Sequence, residues 1–283
     1  MYKNKITELF NLNNKHIIVT GAGGTLGKKH VEAIAAANGI PVMLDINLKE
    51  LKNTYDNIFT KYKIKPIFYK VDITNEKQIK NCCKKLIKKI DCLYGLINNA
   101  ANNPYFFNIK KNNPTRLENY SLDNWNKDLS VSLTGSFLCA KYFGNEIAKN
   151  KNGGVILNIS SDLGLIAPDQ RLYLIKNKKS DEQSVKPVSY SVTKFGIIGL
   201  TKYLSTYWPK KVRCNVLCPG GVEEKKLDKD FIKNVISRIP MGRMAKQTEY
   251  QATIIYLLSE ASSYLNGSVV TADGGRTSWW NVN

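Results

Sequence analysis

The sequence predicts an α/β fold: one doubly wound parallel sheet of about seven strands, flanked by helices, in a single domain spanning 1–283. Three observations predict it. Short apolar runs of strand type alternate with helical stretches along the whole chain. The first run passes through a glycine-rich turn into a helix, and a second strand follows, which is a βαβ unit and builds parallel sheet. No repeat, low-complexity linker or shift of composition divides the 283 residues.

The elements follow in order. Met1 to Lys15 is a polar lead-in, helical around Ile6 to Phe10. Strands are predicted at His16 to Thr20, Pro41 to Asp45, Pro66 to Val71, Cys92 to Asn98, Val155 to Ser160, Val212 to Leu217 and Val269 to Ala272. Helices are predicted at Lys28 to Asn38, ended by Gly39, and at Lys49 to Tyr62 and Glu76 to Ile90. Others are predicted at Leu122 to Lys149 (in one piece or two), Ser189 to Trp208 and Thr248 to Leu258. Asn102 to Tyr120 is a loop rich in Asn, Pro and Lys. Two irregular stretches remain: an insertion over 165–188 on the substrate side, and a polar, glycine-broken lid segment over 220–246.

An apolar content of 43% is ordinary for a globular chain, but the net charge of +19 is not. The lysines are scattered among asparagines and isoleucines, so the charge reads as composition, not as a nucleic-acid surface. Cysteines 82, 83, 92, 139, 214 and 218 form no C-x-x-C and read as free thiols. His16 and His30 are too few for a metal site, so no metal is expected. Met1 to Asn14 lacks the apolar core of a leader, and no run reaches the ~18 residues of a membrane span. A reduced cytoplasm is the expectation, with no membrane partner.

Tyr190 and Lys194 stand one helical turn apart and point the same way. A phenol ordinarily titrates near about 10, and a fixed ammonium beside it favours the phenolate. Such a pair exchanges a proton with an alcohol or ketone. Upstream, Gly21-Ala22-Gly23-Gly24-Thr25-Leu26-Gly27 follows a strand and opens a helix, the arrangement that seats a pyrophosphate on a helix N-terminus. Asp45 ends the next strand, 24 residues past Gly21. An acid there bonds the adenosine ribose and repels a 2′-phosphate, so NAD(H) is favoured over NADP(H).

Together these marks resemble the short-chain dehydrogenase/reductase family over nearly the whole chain. The matching residues are the glycine turn, Asp72-Ile73, Asn98-Asn99-Ala100-Ala101, Ser161, Tyr190 with Lys194, Pro219-Gly220 and Asp273-Gly274-Gly275. The resemblance implies a Rossmann fold and an oxidoreductase. It implies that Gly21, Gly24, Thr25, Leu26, Gly27, Asp45 and Ile46 hold the adenosine and pyrophosphate. Asp72 and Ile73 would border the adenine, and Asn99, Ala100, Ala101, Pro219, Gly220 and Val222 the rest of the dinucleotide. Tyr190 would transfer the proton, Lys194 would hold the nicotinamide ribose, and Ser161 would bond the reacting oxygen. A homodimer or homotetramer would form through the two long helices, and the aromatic tail Ser278-Trp279-Trp280 would pack on a neighbouring subunit.

The chain departs from the family's pattern at four places. Ser132 stands in Val131-Ser132-Leu133 where the family has an asparagine of a proton relay; its hydroxyl or a water would take that catalytic place, or turnover would be slow. Thr25 replaces a glycine, and the turn also fits the T-G-x-x-G-x-x-G form of the nucleotide-sugar branch. Glu224 stands where a threonine is usual. Ser161 and Tyr190 are 29 apart, where about a dozen is common. The extra residues, with Arg171 placed to clamp a phosphate or carboxylate, would border the substrate. Asp162-Leu163-Gly164, Pro168 to Arg171 and Lys186 to Tyr190 resemble bacterial oxidoreductases of flagellin modification and sialic-acid-like sugar synthesis. That implies a small, polar, sugar-like substrate, phosphorylated or not. Two rival readings stay open: an NAD-recycling nucleotide-sugar epimerase or dehydratase, and a non-catalytic dinucleotide-binding sensor.

Overall fold

The computed structural model describes residues 3–102, 113–174, 178–224 and 227–279. Its strands are β1 (His16–Thr20), β2 (Ile40–Asp45), β3 (Ile67–Lys70), β4 (Leu93–Asn98), β5 (Gly154–Ile159), β6 (Val212–Pro219) and β7 (Val269–Ala272). They form one parallel sheet in the order β3-β2-β1-β4-β5-β6-β7. The strand order reverses between β1 and β4, and at such a switch point the loops diverge and leave a crevice.

The strands read as near-continuous apolar runs because both sheet faces are covered. Successive side chains point to opposite faces, so Ile17 and Val19 join one core and Ile18 the other. On the first face lie α2 (Thr25–Ala36), α3 (Leu48–Tyr62) and α10 (Gln251–Leu258), through Ile34, Leu51 and Leu257. On the second lie α4 (Glu76–Ile87) through Leu86 and α8 (Val188–Tyr207) through Leu204. Asn47 caps α3 by accepting from the Lys49 and Glu50 amides, and Asn75 caps α4 by accepting from Gln78. By contrast α2 starts at Gly24 with no side-chain cap, so its first amides are available at the crevice.

Several boundaries differ from the sequence reading. The long helix is α5 (Leu122–Leu129), α6 (Gly135–Cys139) and α7 (Asn145–Ala148), joined by π turns at Ser130–Thr134 and Ala140–Gly144. The last helix starts at Gln251, not Thr248, because Glu249 accepts the Lys246 amide and pairs with Arg243 in a preceding turn. The 220–246 stretch contains a helix, α9 (Lys229–Ile236), capped by Asp228. A short lead-in helix, α1 (Lys3–Glu8), is present. The insertion carries 3₁₀ turns at Gln170–Tyr173 and Ser180–Glu182. Part of the expected loop (103–112), part of the insertion (175–177) and Trp280 lie outside the described residues.

Candidate active site

A cleft of about 790 Å³ opens along the carboxyl ends of the strands. Every residue expected to hold a dinucleotide lines it: Gly21, Gly24 to Gly27, Asp45, Ile46, Asp72, Ile73, Asn99 to Ala101, Tyr190, Lys194, Pro219, Gly220 and Val222. Gly21 has φ +64, and a Cβ there would lie 2.9 Å from the Ala100 Cα. A Cβ on Gly27 would lie 2.0 Å from the Gly21 carbonyl oxygen, so the turn closes only around glycine. The two loops are tied together. The Thr20 hydroxyl oxygen accepts the Asn99 and Ala100 amides at 3.0 and 3.1 Å, and the Asn99 side chain donates to the Thr20 carbonyl at 2.9 Å. Asp45 accepts the Gly23 amide at 2.8 Å and the Asn47 amide at 2.9 Å, which fixes its carboxylate at the end of β2. An uncapped helix start behind a side-chain-free turn, with a fixed acid on the next strand, fits a pyrophosphate joined to an adenosine ribose.

Further along the cleft, α8 presents Tyr190 and Lys194 from successive turns. The buried Lys194 Nζ donates to the Ile159 carbonyl at 3.1 Å and lies 5.7 Å from the Tyr190 ring centroid. Burial pulls this ammonium down to about 8. The start of α8 is pinned by a buried carboxylate, Asp128, which accepts from Tyr120, Ser189 and Asn102. Ser161 lies two residues past β5 and lines the same cleft. Its hydroxyl donates to Asp162 at 2.7 Å, and the other Asp162 oxygen accepts Arg276 at 2.7 Å. That ion pair is buried, with side chains 4% and 9% exposed. Arg276 reaches inward because Asp273 accepts the Gly275 and Thr277 amides and turns the tail over the strand ends.

Two expected residues lie elsewhere. Arg171 does not line the cleft. It is 61% exposed, because Asp169 two residues earlier folds its guanidinium back in a two-pronged pair at 2.8 and 3.0 Å. It borders a second, smaller cavity beside Arg238 and Arg276. Ser132 is buried in the first π turn, where its carbonyl accepts the Ser136 hydroxyl; Ser130 and Val131 line the cleft instead. The sequence reading missed Asp162, Tyr173, Lys186 and Arg276 on the cleft wall. Tyr173 sits in the insertion and packs on Phe231 of α9, ring centroids 5.3 Å apart. Burial pushes its phenol up. The insertion and the 220–246 segment meet in a small apolar cluster of Leu172, Val235, Ile239 and Met244. Among the described residues no group of His, Cys, Asp and Glu could hold a metal, and no helix is long and apolar enough to cross a membrane.

The fold and the cleft define a dinucleotide-dependent oxidoreductase, and comparison narrows the class. Residues 21–277 match the family model described as Enoyl-(Acyl carrier protein) reductase, and the chain belongs to the short-chain dehydrogenase/reductase family. It is similar to the NADP-dependent mannitol dehydrogenase of Alternaria alternata, 30% identical over 277 residues, covering 96% of this chain and 95% of that one. It is also similar to the NAD-dependent glycerol dehydrogenase of Listeria innocua, 27% identical, covering 95% and 96%. A short-chain type dehydrogenase/reductase from Mycobacterium marinum has the same fold at TM-score 0.80 and 24% identity, covering 96% of this chain and 98% of that one. The chain is thus an oxidoreductase acting on CH–OH groups, and its relatives include both NAD- and NADP-dependent enzymes.

Proposed function

We propose that the protein interconverts a secondary alcohol and a ketone on a small polyhydroxylated compound with NAD(H), Tyr190 acting as acid and base. The observation that carries this reading is the meeting of Ser161, Tyr190 and Lys194 in the cleft that the glycine turn opens. The fixed Asp45 carboxylate supports NAD(H), because a 2′-phosphate there would face a negative charge. The polar wall of Asp162, Lys186 and Arg276 supports a polar, sugar-like substrate, as do the polyol and glycerol dehydrogenases among the relatives.

When bound, a nicotinamide dinucleotide supplies the hydride acceptor or donor. The α2 amides and Gly21 to Gly27 would hold its pyrophosphate, Asp45 its adenosine ribose, and Lys194 its nicotinamide ribose. In the oxidative direction the carbinol carbon loses a hydride and the hydroxyl proton passes to the Tyr190 oxygen. Ser161 would hold the reacting oxygen by turning its single hydroxyl proton to it from Asp162, which accepts that bond here. In the reductive direction Tyr190 returns the proton to the ketone oxygen. Two copies pairing through α5 to α7 and α8 remain part of this reading.

The test is a spectrophotometric assay of NADH formation from NAD⁺ with mannitol, glycerol, gluconate and related polyols. Tyr190→Phe is expected to bind NADH and to lose turnover by about 10²–10⁴-fold, the worth of a positioned acid–base group. Undiminished turnover in that variant overturns the mechanism. Cofactor turnover with no net NADH points to the recycling reading instead.

A further inference from the structure

We propose that Lys186 is a substrate-binding residue that holds an anionic oxygen group, a carboxylate or phosphate, of the substrate beside the reacting carbon. This deepens the polyol oxidoreductase reading and rests on it. Lys186 lines the cleft with its Nζ 3.7 Å from the Tyr190 ring centroid, nearer than the 5.7 Å of Lys194. The phenol therefore has two ammoniums. Lys194 is directed to the end of β5 through the Ile159 carbonyl, and Lys186 comes from the insertion at the other wall.

The backbone around Lys186 is clamped. Its own amide donates to Gln170 at 2.8 Å, the Val185 amide donates to Thr115 at 3.0 Å, and Pro187 leads directly into α8. The backbone that carries the side chain is thereby fixed, and the Nζ lies over the Tyr190 ring. Burial pulls Lys186 down to about 8, and Lys194 and Arg276 act in the same direction. An anion seated here would favour the ammonium form and be held by a charge-assisted bond, whereas a neutral hydroxyl gains much less. The site thus selects a sugar acid or sugar phosphate over the uncharged polyol.

The experiment is calorimetric titration of the protein–NADH complex with three probes: D-mannitol, D-gluconate and D-mannitol 1-phosphate. The better of the two anions is expected to bind about tenfold more tightly than mannitol, roughly one charge-assisted hydrogen bond. Which anion wins separates carboxylate from phosphate. In Lys186→Gln that advantage is expected to vanish, and in Lys186→Arg to persist. An advantage below threefold in the unmodified chain, binding of neither anion, or an advantage that survives Lys186→Gln overturns the proposal. A chain that binds no NADH fails the broader reading instead. The same titrations without NADH then decide the role of Lys186 separately.

Discussion

The floor and the roof of the cleft are built in different ways. The floor is made of strand ends and the turns that follow them, and its bonds run from backbone amides to short side chains close by: Gly23 to Asp45, Asn99 and Ala100 to Thr20. The roof is made of the insertion, the 220–246 segment and the tail, and its bonds join side chains far apart in sequence. Asp162 meets Arg276, and Tyr173 meets Phe231. The difference separates two tasks. Backbone geometry makes a site for a common dinucleotide, and changes there disturb the fold. Side-chain pairings make the substrate wall and vary without moving the sheet.

Gly27→Ala should give the largest effect on cofactor binding, because it strikes the floor. The new Cβ would fall 2.0 Å from the Gly21 carbonyl oxygen, backbone that has nowhere to move. NADH binding, read by fluorescence, should be lost, and stability should fall by the about 1–3 kcal/mol typical of overpacking. Asp162→Asn comes next and strikes the roof. It leaves the buried Arg276 without its countercharge, which costs about 3–5 kcal/mol in such pairs. Ser161 also loses its anchor. Turnover should drop while NADH affinity stays within about twofold, since the pair touches neither the glycine turn nor Asp45. Equal loss of both would erase the distinction between the two halves.

The same distinction explains what could be read in the sequence. Seven strands, their order of appearance and the residues of the floor are legible, because glycines, an acid and asparagines at fixed offsets from strand ends have only one backbone arrangement to serve. Tyr190 and Lys194 are legible because a helix sets their spacing. Arg276 is not, because 114 residues separate it from Asp162 and only the folded tail brings them together. Lys186 was hidden in a charged insertion whose lysines all look alike until one is placed over a ring. Arg171 misled because an arginine in an insertion matches an anion clamp, while a local aspartate two residues away was the nearer partner. The π turns in the long helix leave no mark, since their residues keep ordinary helical dihedrals.

Cofactor choice offers a finer test of the floor. Asp45→Ser removes the negative charge at the end of β2 but keeps a short hydrogen-bonding side chain. The ratio of NADPH to NADH affinity should rise about tenfold, the equivalent of about 1.4 kcal/mol. An unchanged ratio would mean that Asp45 serves only the Gly23 and Asn47 amides.

A pH titration of stability probes the floor's outer support. Burial pushes Glu32 up, but hydrogen bonds from Lys61 and Lys29 outweigh it and hold the carboxyl at about 2, below its usual 4.5. A depressed carboxyl stabilises the fold above its unfolded value, and that contribution is lost as pH falls from about 4.5 toward 2. Thermal melts of Glu32→Gln should therefore lie below those of the unmodified chain at pH 7 and approach them at pH 3. A constant gap across that range would assign Glu32 a packing role through Gln251 instead.

Arg171→Ala should do least, and it sharpens the comparison from the other side. Both arginines of interest border the second cavity, but only Arg276 also lines the cleft. Arg171 is largely exposed and folded onto Asp169, so its pair is screened by water and adds little to stability. Asp169 keeps Arg238 as a neighbour at 3.4 Å after the change, so no carboxylate is stranded. Turnover, anion preference and melting temperature should all stay near their original values. A tenfold loss of affinity for gluconate or mannitol 1-phosphate in this variant would move the anion subsite from Lys186 to the second cavity. It would also make that cavity, and not the wall beside Tyr190, the part of the roof that chooses the substrate.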